Sequence, residues 1–520
     1  MVDEPNELVV AVDCSTTACK AFAWDARGHA QAEGRCPIAL DHPGPDAWQQ
    51  DAEQWWLAFC GSVRQLTRAL GARVAQVRAL AITHQRETFV LCDAAGVPLH
   101  PALTWMDARC AAAVAQAKAT LGAERLHRLS GKPACTTPSL YKLIYLLAAH
   151  PELVPLRPRL LDVHGFLVWR ATGRFATSLG SADPLGLVDM EGRDWSEPLC
   201  ALAGLGRDAL PELVPPGVEL GRLRVAVAAD LGLPPELPVV AGTGDGQAAA
   251  LGAGLLGPGR AYLNLGTAVV SGVISPDYRC DRAYRTLYGA APGTFLLESD
   301  LQGGTFTVSW LVDRWLRRAA RADAPSFEAL VAELEAEART LEPGADGLVL
   351  VPYWNGVMDP YWDDGASGIV VGWTGSHGPA HLYRAILEGI ACEQRLRLAG
   401  LESAGARVQE LVVVGGGSKS DLWCQILADV LDRPMLRAST AEATALGVGL
   451  LAAVAGGLHA DLPAAVAAMT STSARFAPGP DRDRYDRLYR EIYRDLYPAL
   501  RQPLQRLAAF RQAAGPTGRG

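Results

Sequence analysis

Four short stretches of this chain set reactive side chains beside glycines or small hydroxylated residues. In "VDCSTTACKAFAWD" an apolar run ends on Asp13, turns over Ser15, Thr16 and Thr17, and restarts at Lys20. A carboxylate at a strand end can hold a hydrated Mg2+, which keeps several waters and needs few protein oxygens. The turn's N–H groups and hydroxyls can take phosphate oxygens, although Asp is equally an ordinary turn residue. In "VVAGTGDGQAAALGAG" Asp245 stands among Gly242, Gly244 and Gly246, with Gln247 opening a run of small residues. Such an Asp can accept a proton from a hydroxyl nucleophile, as in phosphoryl transfer; it can also simply cap a helix. Arg86 and Glu87, at the end of another apolar run, pair a donor with an acceptor, which suits vicinal hydroxyls or a plain surface ion pair. In "ELVVVGGGSKSDLWCQILADVL" an apolar run meets Gly415, Gly416 and Gly417 before Ser420 and a helical pattern, so a flat ligand or phosphate can lie on the backbone.

The elements that must position these residues alternate. Strand-like runs ("LVVAVD", "AQVRALAIT", "AYLNLGTAVVSGVI", "ELVVVGGG") are interleaved with helical stretches over 51–70, 376–400 and 484–511, which predicts an α/β fold. The opening plan of strand, turn and strand returns at 260–275, with Gly266 and Thr267 at the turn. Two such hairpins, one starting each half, suggest two related domains gripping a ligand between them, with a boundary in "GAGLLGPGR"; two unrelated hairpins give the same pattern. Near the C-terminus, Tyr485, Leu488, Tyr489, Ile492, Tyr493 and Leu496 recur at helical spacing and are expected to pack on the second domain.

Bulk properties narrow the function. The 520 residues are 49% apolar and carry a net charge of -8, which argues against a broad basic surface for nucleic acid. Eleven cysteines without a CxxC pair read as reduced thiols of the cytosol. The N-terminus lacks a signal-peptide pattern, and the longest apolar stretch, roughly Ala443 to Leu458, reads as a buried helix rather than a membrane span. Neither GxxxxGK[ST], GxGxxG, HExxH nor GxSxG occurs in a supporting context.

In this order the motifs resemble the FGGY carbohydrate kinases, over about residues 8 to 500. "DCSTTACK" is similar to that family's first phosphate loop and "GPDAWQQDAEQWW" to its Gln-Asp-Pro-x-x-Trp-Trp segment. "THQRETFVLCDAAGVPLHPALTWMDAR" is similar to the substrate segment of glycerol kinases and "GTGDGQAAALGAG" to the catalytic-base segment. "VPYWNGVMDPYWDDGASGIVVGWTGSHGPAHLYRAILEGIA" and "VVVGGGSKSDLWCQILADVL" are similar to the C-terminal signature and the adenosine loop.

The resemblance implies two actin-like (ribonuclease H-like) domains, 1–252 and 253–520, with the active site in the cleft between them. It implies ATP and Mg2+ as cofactors, a small sugar or polyol as the partner substrate, no membrane or nucleic-acid partner, and room for a homodimer. Asp245 is then the general base, with Asp13 and Asp245 near the metal. Arg86, Glu87, Trp105, Asp107, Asp245 and Gln247 bind or flank the substrate. Ser15, Thr16, Thr17, Lys20, Gly266, Thr267, Gly303, Gly304, Gly415, Gly416 and Ser420 face the nucleotide. The implied reaction is phosphorylation of a terminal hydroxyl of a ketose or polyol, xylulose before glycerol. The alternative is an actin-like ATPase or sugar sensor without kinase activity.

The sequence departs from the family in places. Ser15 replaces a loop glycine, and Thr137 stands about where glycerol kinases have an aromatic residue. Xylulokinases usually have Met-His at Arg86 and Glu87, and "GVMDPYWD" is unlike a typical glycerol kinase. Ser15 is expected to keep negative φ and donate to a phosphate; a positive φ would instead strain it.

Overall fold

The computed structural model describes residues 7–44, 46–317, 325–354 and 356–513. Its first half is built on a six-stranded sheet. The strands are β1 (Leu8–Cys14), β2 (Ala18–Asp25), β3 (Ala30–Pro37), β4 (Val77–His84), β5 (Glu219–Arg222) and β6 (Pro238–Gly244). The order is β5-β6-β4-β1-β2-β3. The first three strands form an antiparallel meander, while β1, β4 and β6 run parallel. The second half repeats this plan with β7 (Arg260–Leu265), β8 (Val269–Ser275), β9 (Arg285–Tyr288), β10 (Phe295–Leu301), β11 (Glu410–Val414), β12 (Met435–Ala438) and β13 (Thr472–Phe476). Here the order is β9-β10-β8-β7-β11-β12-β13. The antiparallel run β7-β8-β10 and the parallel run β7-β11-β12 reproduce β1-β2-β3 and β1-β4-β6. The expectation of two related α/β units with matching opening hairpins is borne out.

Strands buried on both faces explain the continuous apolar runs of the sequence. Leu8, Val10 and Val12 meet α1 (Ala52–Leu70) through Trp55, Phe59, Val63 and Leu66, while Val9 and Ala11 face the other way. That other face is covered by α5 (Ala443–Ala455), which crosses α2 (Asp245–Gly252). The crossing is close because it is made of small residues. A Cβ on Gly447 would lie 1.9 Å from the Ala248 carbonyl oxygen, and one on Gly252 1.9 Å from that of Ala443. Thus α5 joins the core under the first sheet although in sequence it lies between β12 and β13 of the second. Helices α3 (Pro379–Ser403) and α4 (Asp421–Leu431) pack on the second sheet.

The tyrosine stripe packs on the second half, with one correction. Tyr485, Tyr489 and Tyr493 are buried, but Ile492 is exposed and Tyr497 takes the next inward position. A π-helical turn over Tyr489–Tyr493 resets the phase, so the tyrosines recur every four residues. Among the described residues no helix is long and apolar enough to cross a membrane, and all eleven cysteines are free thiols.

Candidate active site

Parallel pairing brings the first reactive residues to one sheet edge. Asp13 on β1 pairs with Thr83 on β4, and Thr83 with Thr243 on β6; one residue on, Cys14, His84 and Gly244 align. The chain then leaves each strand at the same edge, carrying the 15–17 turn, Arg86 and Asp245. The carboxyl ends of parallel strands are where α/β sheets place ligands. Asp245 is the first residue of α2, beside a cradle without Cβ atoms: one on Gly244 would press within 2.5 Å of Arg86 Cγ. Asp245 Oδ1 accepts from the Gly246 N–H at 2.8 Å and from Arg86 Nε at 2.9 Å, and the side chain remains 40% exposed.

Arg86 and Glu87 are not a surface ion pair. Both are buried, and each reaches across to the second half. Arg86 donates to both Glu298 oxygens at 2.9 and 3.0 Å. Glu298 also accepts from Tyr262 Oη at 2.8 Å and Arg285 Nε at 2.8 Å, while Arg285 Nη1 donates to Glu87 at 3.0 Å. Burial opposes the charge on Arg86, but Glu298 and Asp245 outweigh it and raise its pKa well above the usual arginine value. Burial likewise opposes ionisation of Glu298, and Arg86 and Arg285 overcome it, holding its pKa below the ordinary range. Glu87 has φ of 53°, a left-handed conformation that only strong local contacts sustain in a glutamate.

The loops expected to face phosphates lie at the ends of the two hairpins. Ser15 is absent from the positive-φ residues, so the strained alternative falls. Its hydroxyl and N–H both donate to the Ala18 carbonyl, at 2.9 and 3.0 Å. In this structure the Ser15 hydroxyl closes the turn, with its oxygen still able to accept. Thr16 Oγ1 accepts from Trp105 Nε1 at 3.0 Å, and Thr17 is exposed. Lys20, opposite Asp13 on the ladder, is bound to Glu442 at 2.9 Å. In the second hairpin, Thr267 is exposed and the Gly266 carbonyl is held by the Thr305 N–H at 3.0 Å. Gly304 backs that turn, where a Cβ would lie 2.8 Å from the Gly266 oxygen, while a Cβ on the adjoining Gly303 would lie 2.0 Å from the Pro352 oxygen. Gly415 has φ of 84° and touches Asn264, Gly416 opens onto free space, and Ser420 caps α4 through the Trp423 N–H at 3.1 Å.

Two expected substrate residues have other work as well. The Asp107 carboxylate accepts from the Trp48 N–H at 3.0 Å and pairs with Arg109 at 2.7 Å, which fixes the Trp105 loop. Gln247 donates from Nε2 to the Gly180 carbonyl at 2.9 Å. Arg285, Glu298 and Tyr262 escaped the sequence reading. Their signal was charge at alternate positions of an apolar strand, Glu298 and Asp300 in "FLLESDL".

Asp13 fits a cation. It is 8% exposed, its Oδ1 is buried without a hydrogen-bond partner, and its pKa is pushed up to about 7 by burial and then by the charge of Asp245. An acceptor without a donor beside a second carboxylate is what a divalent ion relieves. Among the described residues no cluster of three His, Cys, Asp or Glu side chains could hold a metal.

Comparison with known proteins gives the family. Residues 8–252 match the N-terminal domain, and residues 261–456 the C-terminal domain, of the FGGY family of carbohydrate kinases. The chain is 28% identical over 500 residues to a xylulose kinase of Escherichia coli, covering 93% of this chain and 99% of that one. It is 31% identical over 507 residues to a glycerol kinase of Dechloromonas aromatica, covering 95% and 98%. Its fold matches the crystal structure of xylulose kinase from Rhodospirillum rubrum with a TM-score of 0.88 at 29% identity, over 96% of this chain and all of that one.

Proposed function

The chain belongs to the FGGY family of carbohydrate kinases, and from that premise we propose that it transfers the γ-phosphoryl group of ATP to a terminal hydroxyl of a small ketose or polyol. A pentulose such as xylulose is the first choice and glycerol the second. The observation that carries the proposal is Asp245, 40% exposed just beyond the end of β6 and oriented by Arg86 and Gly246. In the proposed step the substrate oxygen forms a bond to the γ-phosphorus as the bond to the β,γ-bridging oxygen breaks. ADP leaves, and the hydroxyl proton passes to Asp245.

Because the transition state is loose, Asp245 orients the alcohol and takes its proton late. Arg86 and Glu87 bind substrate hydroxyls, Gln247 and the Trp105–Asp107 loop wall the pocket, and the 15–17 and 266–267 turns hold phosphates from opposite sides. Gly303 and Gly304 support the second turn, Gly415, Gly416 and Ser420 receive the nucleoside, and Lys20 steadies the first loop. Asp13 and Asp245 would hold Mg2+, which when bound neutralises charge on the transferring phosphoryl group. The division at 252/253 gives each unit one hairpin, and unpaired thiols suit the cytosol.

The test is ADP release by the purified protein over a panel of polyols and ketoses. Release that depends strongly on one of them supports the proposal. ATP hydrolysis indifferent to every polyol overturns it in favour of an actin-like ATPase.

A further inference from the structure

The cleft has a polar wall on its second side that the reading above leaves unused. On the antiparallel pair β8 and β10, Val270 stands opposite Asp300 and Gly272 opposite Glu298; Glu298 in turn stands opposite Arg285 on β9. Cross-strand partners share a face, and so do residues two apart on one strand. Arg285, Glu298 and Asp300 therefore look the same way, and the Arg86–Glu298 contact fixes that direction as toward Arg86 and Asp245. Asp300 is also one ladder step from Leu301, whose partner Val269 follows the 266–268 turn.

Glu298 is fully engaged by Arg86, Arg285 and Tyr262. Asp300 is not. Its Oδ1 is buried without a hydrogen-bond partner. Its Oδ2 stands 3.6 Å from Arg285 Nη2, an ionic contact too long for a hydrogen bond. The backbone is braced from behind, since the Asp300 N–H donates to Asp359 Oδ1 at 2.9 Å. The side chain keeps 15% exposure, beside Val270, which is itself half-buried. On the opposite wall Gln247, 1% exposed, has its carbonyl oxygen in the same condition. Buried acceptors without donors are costly unless a ligand supplies the donors.

We propose that Asp300, beside Arg285, accepts a hydroxyl of the substrate, so that the second half contributes to substrate recognition and polyols or ketoses of four or more carbons are preferred over glycerol. This rests on the kinase reading given above. Glycerol has three hydroxyls: one is the phosphoryl acceptor at Asp245, and the Arg86–Glu87 pair engages the other two. None is left for Asp300. A tetritol or pentulose presents at least one more, and that hydroxyl bridges the walls, because Asp300 belongs to the second sheet and Glu87 follows the first. A site built to bind a hydroxyl discriminates sharply against a substrate lacking it, since its buried polar groups are then left unpaired.

The test is kcat/KM for glycerol, a four-carbon polyol and pentuloses, measured on the full chain and on Asp300→Ala and Asp300→Asn, with melting temperatures alongside. The expected result is a wild-type preference for the longer substrates. In Asp300→Ala their kcat/KM falls about ten- to a hundredfold, glycerol changes by less than about threefold, and KM for ATP stays put. Asp300→Asn keeps one acceptor oxygen and falls between; if the alanine variant melts early, the asparagine variant carries the comparison. An equal loss for glycerol and the longer substrates overturns the proposal. So does an effect confined to ATP or Mg2+ dependence, which would assign Asp300 to the nucleotide side. A wild-type protein that releases no ADP with any polyol overturns the kinase reading itself, a failure distinct from either of these.

Discussion

Asp13→Asn is expected to stabilise the metal-free protein while disabling it. The substitution keeps the shape of the side chain and removes a charge that the fold pays to bury. Burial and the neighbouring Asp245 lift the carboxyl from 3.8 to about 7. Each tenfold in an ionisation constant is about 1.4 kcal/mol, so holding Asp13 ionised costs the folded state up to about 4 kcal/mol. The sign follows from proton counting. Between pH 3.8 and about 7 the folded state binds more protons at this site than the unfolded chain does, so stability falls as pH rises through that window. Asparagine has no such dependence. Its advantage should be near zero at pH 4, grow through pH 5 to 7 and level off by pH 8. For a chain this large a gain of 1 kcal/mol raises the melting temperature by about 2 °C or less, so the ceiling is about 8 °C. The assay is thermal melting of both proteins in EDTA at pH 4, 6 and 8. Steady-state kinetics with Mg2+ should show kcat down by about 10²-fold or more, because the site has lost a carboxylate that would hold the cation offsetting charge on the transferring group. An asparagine variant that melts no higher than wild type at pH 8, or gains equally at pH 4, would refute the reasoning.

Three other substitutions separate the roles in the cleft. Asp245→Asn removes the proton acceptor, so kcat should drop by about 10²–10⁴-fold with KM for ATP nearly constant; a variant retaining half of wild-type kcat rules out the general base. Arg86→Ala takes one cation from Glu298, which is fully buried, and the orienting partner from Asp245. It should cut kcat/KM for the polyol about ten- to a hundredfold and lower stability by about 3–5 kcal/mol, and an unchanged denaturation midpoint would mean that the cross-half network does not form. Ser15→Gly removes one hydrogen bond to Ala18 and loosens the turn. Melting should fall slightly, by the equivalent of about 1–2 kcal/mol, with KM for ATP within about threefold of wild type, whereas a rise in both stability and activity would contradict the observed turn.

What the sequence made legible is what short-range chemistry controls. A carboxylate ending an apolar run, hydroxyls in the next four residues and glycines after a strand are local arrangements, and Asp13, Asp245 and Gly415 are found where their neighbours put them. The repeated hairpin was legible for the same reason, because β1-β2 and β7-β8 each close within a few residues. Arg86 and Glu87 were singled out, but their partners were not, since Glu298 lies 212 residues from Arg86 and Arg285 198 residues from Glu87. Only sheet register and the packing of α2 between the halves bring those groups together.

The same long-range register explains why the charged wall stays intact. Arg86 alone in the cleft would be a buried cation attached to a strained loop, and Glu298 alone a buried anion in an apolar strand. Each is tolerable only because the other half arrives in one position, with Arg285 and Tyr262 completing the shell. A buried pair contributes little net stability compared with apolar packing, but losing one partner is severe, so the network penalises any arrangement of the halves that parts Arg86 from Glu298. It therefore sets the distance between the wall that carries Asp245 and the wall that carries Asp300. The length of substrate the cleft accepts then follows from where two sheets dock, which no local motif records.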